Sequence, residues 1–245
     1  MSAVTLSSRN GTNRADMSVF TFGKTEMRQL TTSLLATMMA MAIAGCANTP
    51  AKPPAGAVTA EVGFPSPGTK LVFRKTDVTY MNATSTQTYT ETVLRDGVYK
   101  GTPVHRETDG VNITVFNKTN RNWMATLRTG VERDSASPDD GNFSWPLFVG
   151  KTWTASETYK DDMTGHRFSP VVTYWKVTAY EDVTVPAGTF KAFKLESSPG
   201  TNNASLKTEW YAPDVKVVVK QILERTPRNY RGYGKFVTEL VKIEK

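Results

Sequence analysis

The sequence predicts an all-β fold, a single antiparallel β-barrel-like or strongly curved sheet domain, with a two-sheet β-sandwich as the alternative. Three observations predict it. From Lys70 onward, short runs rich in Val, Thr, Tyr, Phe and Trp alternate with Gly, Pro, Asn and Asp. No window there shows the 3.6-residue apolar period of an amphipathic helix. The runs follow one another at hairpin spacing, which is typical of up-and-down antiparallel sheets.

About eleven strands are predicted from these runs. They cover Lys70–Met81, Thr86–Arg95, Val98–Glu107, Val111–Lys118, Asn122–Arg128, Thr152–Lys160, Val171–Tyr180, Phe190–Ser197, Leu206–Ala212, Lys216–Arg225 and Lys235–Ile243. The dipeptides Asp96-Gly97 and Asp109-Gly110 separate neighbouring runs. Both predict hairpins, because type I′ turns need positive φ.

The connection from Thr129 to Gly150 is the longest segment without a predicted strand. Its second half contains Phe143, Trp145, Leu147 and Phe148. These side chains are too apolar to remain in water, and loops of this length are usually functional or packed. We therefore expect this segment to plug one end of the barrel or to cap its core.

The only cysteine, Cys46, ends an apolar stretch that is preceded by Lys24 and Arg28 and closes with Ala44 and Gly45. A basic region, a short apolar region and small residues before a cleavage site are typical of a secretory signal peptide. The small residues before Cys46 resemble the lipobox of bacterial lipoproteins. That resemblance implies cleavage before Cys46, addition of a diacylglyceryl group to its thiol and acylation of the new N-terminus.

Three regions follow from this interpretation. Residues 1–45 are the predicted signal peptide, and a start at Met27 would make residues 1–26 an upstream extension. Residues 46–69 are rich in proline, which favours extended backbone, and form the predicted tether. Residues 70–245 form the predicted β domain. Since Ala47 and Asn48 follow the cysteine, analogy with enterobacterial sorting predicts an outer-membrane anchor facing the periplasm.

The inventory of catalytic residues is small. The two histidines, His105 and His166, show no metal-ligand spacing, and there is no nucleophile elbow or glycine-rich phosphate loop. Asp134, Asp139 and Asp140 do not have EF-hand spacing and are interpreted as a solvated acidic turn rather than a calcium site. The sequence therefore predicts no metal, no cofactor and no enzymatic activity. A hydrolase site assembled from distant loops remains a less favoured alternative.

One loop, Arg225–Lys235, interleaves basic and aromatic residues between glycines. Arginine pairs with phosphate or carboxylate and tyrosine stacks on rings, so this loop is a candidate contact surface for anionic lipid, glycan or an envelope protein. Nucleic acid is not an expected partner of an exported protein. The alternative is that the tyrosines pack on the barrel and the arginines face water. The predicted contact residues are Arg228, Tyr230, Arg231, Tyr233 and Lys235, with Trp145 from the long connection.

The aromatic residues of the strands allow two interpretations. They could line a ligand cavity, or they could form a dry core, because each buries a large apolar area. The residues concerned are Trp123, Trp145, Trp153, Trp175 and Trp210, with Tyr174, Tyr180 and Tyr211. The net charge of +7 is compatible with contact to anionic envelope polymers or lipid head groups, and equally with simple solubility.

Two further motifs carry a resemblance. The turn Val185-Pro-Ala-Gly-Thr-Phe190 and the strand end Trp210-Tyr-Ala-Pro213 resemble those of uncharacterised bacterial envelope proteins and lipoproteins. The resemblance extends from about Trp145 to Lys220. It implies a β fold, often described as barrel-like, and no known catalytic residue.

These observations predict a lipid-anchored, non-enzymatic binding, carrier or assembly-support module in the periplasm. The alternative is a structural envelope protein that docks on a partner protein or a cell-wall polymer. A continuous apolar cavity would favour a carrier, and an exposed aromatic patch would favour docking. A pocket that places His105 or His166 beside a carboxylate and a hydroxyl would favour a hydrolase.

Overall fold

A computed structural model describes residues 52–79 and 85–245, and this part of the chain is all-β, with no helix that could cross a membrane. It contains thirteen strands. They are β1 (Lys70–Asp77), β2 (Ser85–Val93), β3 (Gly97–Tyr99), β4 (Thr102–Thr108), β5 (Asn112–Asn117), β6 (Trp123–Arg128), β7 (Val131–Ser137), β8 (Thr152–Asp161), β9 (His166–Val185), β10 (Gly188–Pro199), β11 (Ser205–Ala212), β12 (Val217–Arg225) and β13 (Gly234–Glu244).

The sheet closes on itself. From β4 to β13 each strand pairs antiparallel with the next one along the chain, β13 pairs with β1, and β1 pairs with β2. The ring is completed where Thr92 and Val93 of β2 pair with Thr108 and Glu107 of β4. Twelve strands thus form a closed antiparallel barrel, and the short β3 lies beside β4. The predicted barrel is confirmed, and the sandwich alternative is not the fold.

One of the two predicted hairpins is confirmed and the other is wrong. Gly110 has a φ of 89° in the turn that joins β4 to β5. By contrast, Asp96-Gly97 makes no reversal, because β2 and β3 lie one after the other along the same edge of β4. The chain reverses at Lys100 and Gly101, where φ is 48° and 82°. The predicted strand over residues 98–107 is therefore two strands joined by this turn.

Strand β7 lies within the segment predicted to be a loop. Its sequence, VERDSAS, has little apolar character, so side-chain alternation gave no signal. The strand is held by its neighbours instead, since it pairs with β6 on one side and β8 on the other. Backbone pairing can stabilise a polar strand in this way because every paired N–H and C=O is satisfied.

The segment after β7 fills one end of the barrel, as predicted. Phe143, Leu147 and Phe148 are buried. The Leu147 N–H donates to the carbonyl of Ala60 at 2.9 Å, and the Ala60 N–H donates back to Leu147 at 3.0 Å. We call residues 138–151 the plug. It packs into the largest aromatic cluster of the barrel, with Trp175, Val177, Phe193, Leu195 and Tyr211.

Part of the segment assigned to a tether packs on the barrel. In addition to the Ala60 pairing, the ring of Phe64 stacks on His105 with centroids 4.0 Å apart. Arg121 donates to the carbonyl of Gly63 at 2.6 Å. Residues 52–69 thus extend the packed domain at the plug end. Cys46 and the predicted signal peptide lie outside the described residues.

The alternation of strand direction fixes what lies at each end of the barrel. The plug and the N-terminal segment share one end with the turn at Pro186 between β9 and β10. The loops 162–165, 200–204 and 226–233 lie at the opposite end, because each joins strands that run toward it and away from it. The basic and aromatic loop singled out in the sequence therefore lies far from the plug.

Candidate functional site

A cavity of about 360 Å³ extends from the barrel end opposite the plug to the plug residues Asp140 and Asn142. We call it the distal cavity. Inward-facing side chains of β6 to β12 form its walls, and residues of the 200–204 and 226–233 loops form its rim. Strand β8 shows how the sequence builds the wall, because Trp153, Ala155, Glu157 and Tyr159 alternate with Thr and Ser and so share the inner face.

One wall of the distal cavity is aromatic. The ring of Trp123 lies 6.3 Å from that of Tyr159, and Tyr159 lies 6.5 Å from Phe168. Phe168 in turn lies 5.4 Å from Tyr230, centroid to centroid. These four rings come from β6, β8, β9 and the 226–233 loop, and together they form a continuous row.

The rim is held by an ion-paired network around Asp161. Its Oδ2 accepts a hydrogen bond from Arg231 at 2.5 Å and one from the Tyr230 hydroxyl at 2.7 Å. Arg231 also donates to the hydroxyl of Tyr159 at 3.0 Å and lies 3.6 Å from Asp134. Although burial opposes the charged form, the hydrogen bonds from Arg231 and Tyr230 hold the pKa of Asp161 well below its usual range.

Two carboxyl groups deeper in the distal cavity have a pKa that is raised rather than lowered. Burial, reinforced by the nearby carboxyl of Asp140, raises the pKa of Glu157 to about 8. Burial raises the pKa of Asp140 to about 7. Asp140 also has a structural role, because its Oδ1 accepts the N–H of Trp123 at 3.0 Å and its Oδ2 accepts an amide N–H of Asn142 at 2.6 Å. At neutral pH, Glu157 is therefore largely protonated and neutral.

Four buried polar atoms of cavity-lining residues lack a hydrogen-bond partner among the described residues. Two are acceptors, Oδ1 of Asp134 and Oε2 of Glu157. Two are donors, the indole N–H of Trp175 and the Nε–H of Arg225. The Trp175 residue is only 2% exposed. A buried polar group without a partner costs about 1–3 kcal/mol, so four in one cavity are uncommon in a dry core.

Another cavity, of about 350 Å³, lies further inside the barrel and shares Trp123, Asp140, Asn142 and Lys207 with the distal cavity. It is also polar. Burial and the adjacent Glu107 raise the pKa of Glu91 to about 8. Glu209 accepts a hydrogen bond from Gln221 at 2.7 Å, whereas its other carboxylate oxygen has no partner among the described residues. The two cavities do not form a continuous apolar lumen.

The two histidines lie apart from the distal cavity's unpartnered atoms. Buried His105 contacts Glu107 at 3.2 Å and Asp96 at 3.4 Å. Exposed His166 stacks on Tyr230 with centroids 4.5 Å apart and bonds to the Thr164 hydroxyl at 2.9 Å. Over residues 52–79 and 85–245, no group of three or more His, Cys, Asp or Glu side chains is placed to hold a metal ion.

The predicted contact residues separate into three environments. Arg228, Tyr230 and Arg231 line the distal cavity, with Arg228 exposed at its rim. Lys235 pairs with Glu224 at 3.0 Å, and Tyr233 is 46% exposed.

Trp145 lies in the plug, at the other end of the barrel. Its ring stacks on Phe143 with centroids 5.4 Å apart and meets the edge of Tyr211, and its indole N–H donates to the carbonyl of Asn120 at 2.6 Å. The loop and Trp145 therefore do not form one surface. Trp145 is half-buried and packs against the apolar cluster at the plug.

Sequence reasoning did not select Glu157, Asp134 or Arg225 as site residues. Glu157 did leave a signal, since it interrupts the apolar inner face of β8 between Ala155 and Tyr159. A carboxyl group at an inward position must be paired, neutral or functional. Asp134 gave no usable signal, because the strand that carries it was taken for a loop.

The sequence matches no protein-family model and no curated protein sequence. Among solved structures, a protein of Parabacteroides distasonis described provisionally as a lipoprotein is 14% identical, with a TM-score of 0.36, over 74% of this chain and 97% of that one. A Bacteroides fragilis protein described provisionally as exported, with a YmcC-like fold, is 11% identical, with a TM-score of 0.39, over 76% and 100%. The hypothetical lipoprotein YmcC of Escherichia coli is 10% identical, with a TM-score of 0.43, over 72% and 85%.

Proposed function

We propose that this protein is a lipid-anchored, non-enzymatic binding module of the bacterial cell envelope that holds a small polar ligand in the distal cavity. The signal sequence and the lipobox-like residues before Cys46 support the anchor. The residues that follow Cys46 favour the outer membrane, with the barrel in the periplasm. Residues 52–69 pack at the plug end of the barrel, whereas the rim of the distal cavity lies at the opposite end.

The convergence on one cavity of four residues that each hold a buried, unpartnered polar atom carries the binding role. Folding tolerates an unsatisfied buried group mainly where another partner fills it. Here Glu157, Trp175, Asp134 and Arg225 come from four different strands and still line one space. The polar lining also disfavours a carrier of acyl chains, since an acyl chain would leave all four atoms unsatisfied.

A docking role is the second candidate, and two residues favour it. Tyr233 and Arg228 are exposed on the same loop, where they could meet a partner protein or a cell-wall polymer. Purification of the native protein from membranes, followed by mass spectrometry, separates the candidates. A bound small molecule supports the binding module. A co-purifying protein or polymer without a small molecule supports docking and contradicts the proposal.

The anchor is tested by Cys46→Ser. The variant should lose the lipid mass and leave the membrane fraction, because acyl chains supply membrane affinity of about 0.8 kcal/mol per buried CH₂ and serine takes no lipid. The measurements are intact-protein mass spectrometry and membrane fractionation. Ala51→Ser serves as the control and should stay lipidated and membrane-bound. Wild-type protein without lipid on Cys46 would remove the basis of the localisation.

A further inference from the structure

The residues that carry the unpartnered atoms line the distal cavity, and their side chains define the hydrogen-bonding character that a ligand there would meet. Oε2 of Glu157 and Oδ1 of Asp134 are acceptors when ionised, and the protonated Glu157 carboxyl can also donate. The Trp175 indole N–H and the Arg225 Nε–H can only donate. The ligand must therefore offer both donors and acceptors within one small molecule.

This requirement excludes several ligand classes. A simple anion only accepts hydrogen bonds, so it would leave the acceptor Oδ1 of Asp134 without a donor. A simple cation only donates hydrogen bonds, so it would leave the N–H groups of Trp175 and Arg225 without an acceptor. A hydroxyl group donates and accepts at the same atom, so a molecule that carries several hydroxyls can satisfy both kinds of residue.

The cations of the rim do not change this conclusion. The guanidinium of Arg231 is already paired with Asp161 and lies close to Asp134, so it offers little unshared positive charge to a ligand. The guanidinium of Arg225 lies over the ring of Phe236, 4.7 Å from its centroid. Exposed Arg228 is the cation of the 226–233 loop that a ligand at the rim would meet first.

The aromatic row supplies the second half of the ligand's chemistry. The rings of Trp123, Tyr159, Phe168 and Tyr230 line the same cavity as the unpartnered polar atoms. An aromatic wall beside polar groups suits a ring that has C–H groups on its faces and hydroxyls at its edge. The side-chain amides of Asn203 and Asn229 at the rim add further donors and acceptors.

We propose that the distal cavity binds a saccharide, with its hydroxyls on Glu157, Asp134, Trp175 and Arg225 and its ring faces on the aromatic row. The assignment rests on the proposed function, because it names the ligand class of that binding site. The volume of about 360 Å³ is near the lower end of the range of ligand pockets, ~300–1,000 Å³, and favours a short saccharide or the end of a longer chain.

The test uses the full-length lipidated protein in detergent and three trisaccharide series that contain glucose, N-acetylglucosamine or glucuronate. Binding is measured by isothermal titration calorimetry, and products are examined by mass spectrometry. At least one series should bind. Trp175→Phe keeps a six-membered aromatic ring and removes the N–H, and Glu157→Leu keeps a side chain of similar size and removes both carboxyl oxygens, so each should weaken binding by about tenfold. Circular dichroism and thermal unfolding confirm that each variant is folded.

Two matched variants provide the controls. Trp210→Phe removes an indole N–H that donates to Glu181 at 2.8 Å, on the face of the sheet opposite the distal cavity. Glu224→Leu removes a carboxyl group that pairs with Lys235 outside the cavity. Both should bind the saccharide as the wild type does.

Four outcomes would overturn the assignment or its basis. If no saccharide binds but a lipid or peptide purified with the protein is lost in Trp175→Phe, the ligand class is wrong and the binding function stands. If no ligand of any class occupies the cavity, the proposed function is wrong as well. Unchanged affinity in Trp175→Phe and Glu157→Leu places the saccharide elsewhere. Cleavage of a trisaccharide by the wild type contradicts a non-enzymatic role.

Discussion

The basic and aromatic loop shows how one residue can lose the role that its type suggests. Arg231 has the chemistry of an anion-binding residue, yet its guanidinium is paired with buried Asp161 and lies near Asp134. Tyr230 is bonded to the same carboxylate and stacked on His166. Arg231 and Tyr230 thus fix the 226–233 loop against Asp161 of β8 and shape the rim of the distal cavity.

Asp161→Asn tests this role through stability and its pH dependence. The folded-state pKa of Asp161 is lowered, so the stabilisation is present above the unfolded-state value of about 3.9 and is lost as the pH falls toward the folded-state value. Asparagine should cost about 1–3 kcal/mol near pH 7 and flatten the loss of stability between about pH 4 and pH 2. Urea denaturation across this range measures both effects.

Exposed Asp162 offers the control for that experiment, and Asp162→Asn should leave the stability nearly unchanged. Equal effects of the two substitutions would contradict a fixing role for Asp161.

The residues of the distal cavity also show where sequence reasoning stops. The loop at residues 228–231 was selected from its composition, and it does line a cavity. Its partner Asp161 is 70 residues earlier in the chain, and no local pattern connects the two. Trp175 was identified only as an aromatic residue of a strand, because the lack of a partner for its N–H is a property of the packed barrel.

At the scale of elements, most strands could be predicted because the alternation of side chains is local. Strand β9 was predicted over residues 171–180 and extends from His166 to Val185, since its ends pair with β8 and β10 beyond the apolar centre. The turn at Lys100 was missed because lysine rarely adopts positive φ, and the stronger signal at Asp96-Gly97 was misleading. In both cases the outcome depends on pairing with strands elsewhere in the chain, which the local sequence does not show.

The plug makes an element-scale prediction. Leu147 is fully buried and holds the N-terminal segment by backbone bonds to Ala60, so Leu147→Ala should lower the free energy of unfolding by about 2–5 kcal/mol. Val149 in the same segment is 47% exposed, and Val149→Ala should change stability by less than about 0.5 kcal/mol. Urea denaturation measures both. Similar small losses in the two variants would show that the plug is not part of the cooperative core.

At the scale of the whole molecule, the barrel is asymmetric. The plug end contains the large apolar cluster with Phe193, Leu195 and Tyr211, whereas the distal end contains a polar cavity and an ion-paired rim. The stability of the domain therefore comes mainly from the plug end, since burial of apolar area is the dominant favourable contribution. This leaves the distal end free to keep polar groups that are costly for folding.

This asymmetry makes the N-terminal segment part of the folded unit, and truncation tests that conclusion. A chain that begins at Lys52 should unfold cooperatively with a β-type circular dichroism spectrum. A chain that begins at Lys70 lacks the Ala60 pairing with Leu147, the stacking of Phe64 on His105 and the acceptor that Gly63 offers to Arg121. It should remain β-rich but lose roughly 3–6 kcal/mol, because four backbone hydrogen bonds to Leu147 and Val93, one charged hydrogen bond and an aromatic contact are removed. Identical denaturation midpoints for the two chains would show that residues 52–69 only connect the barrel to its anchor.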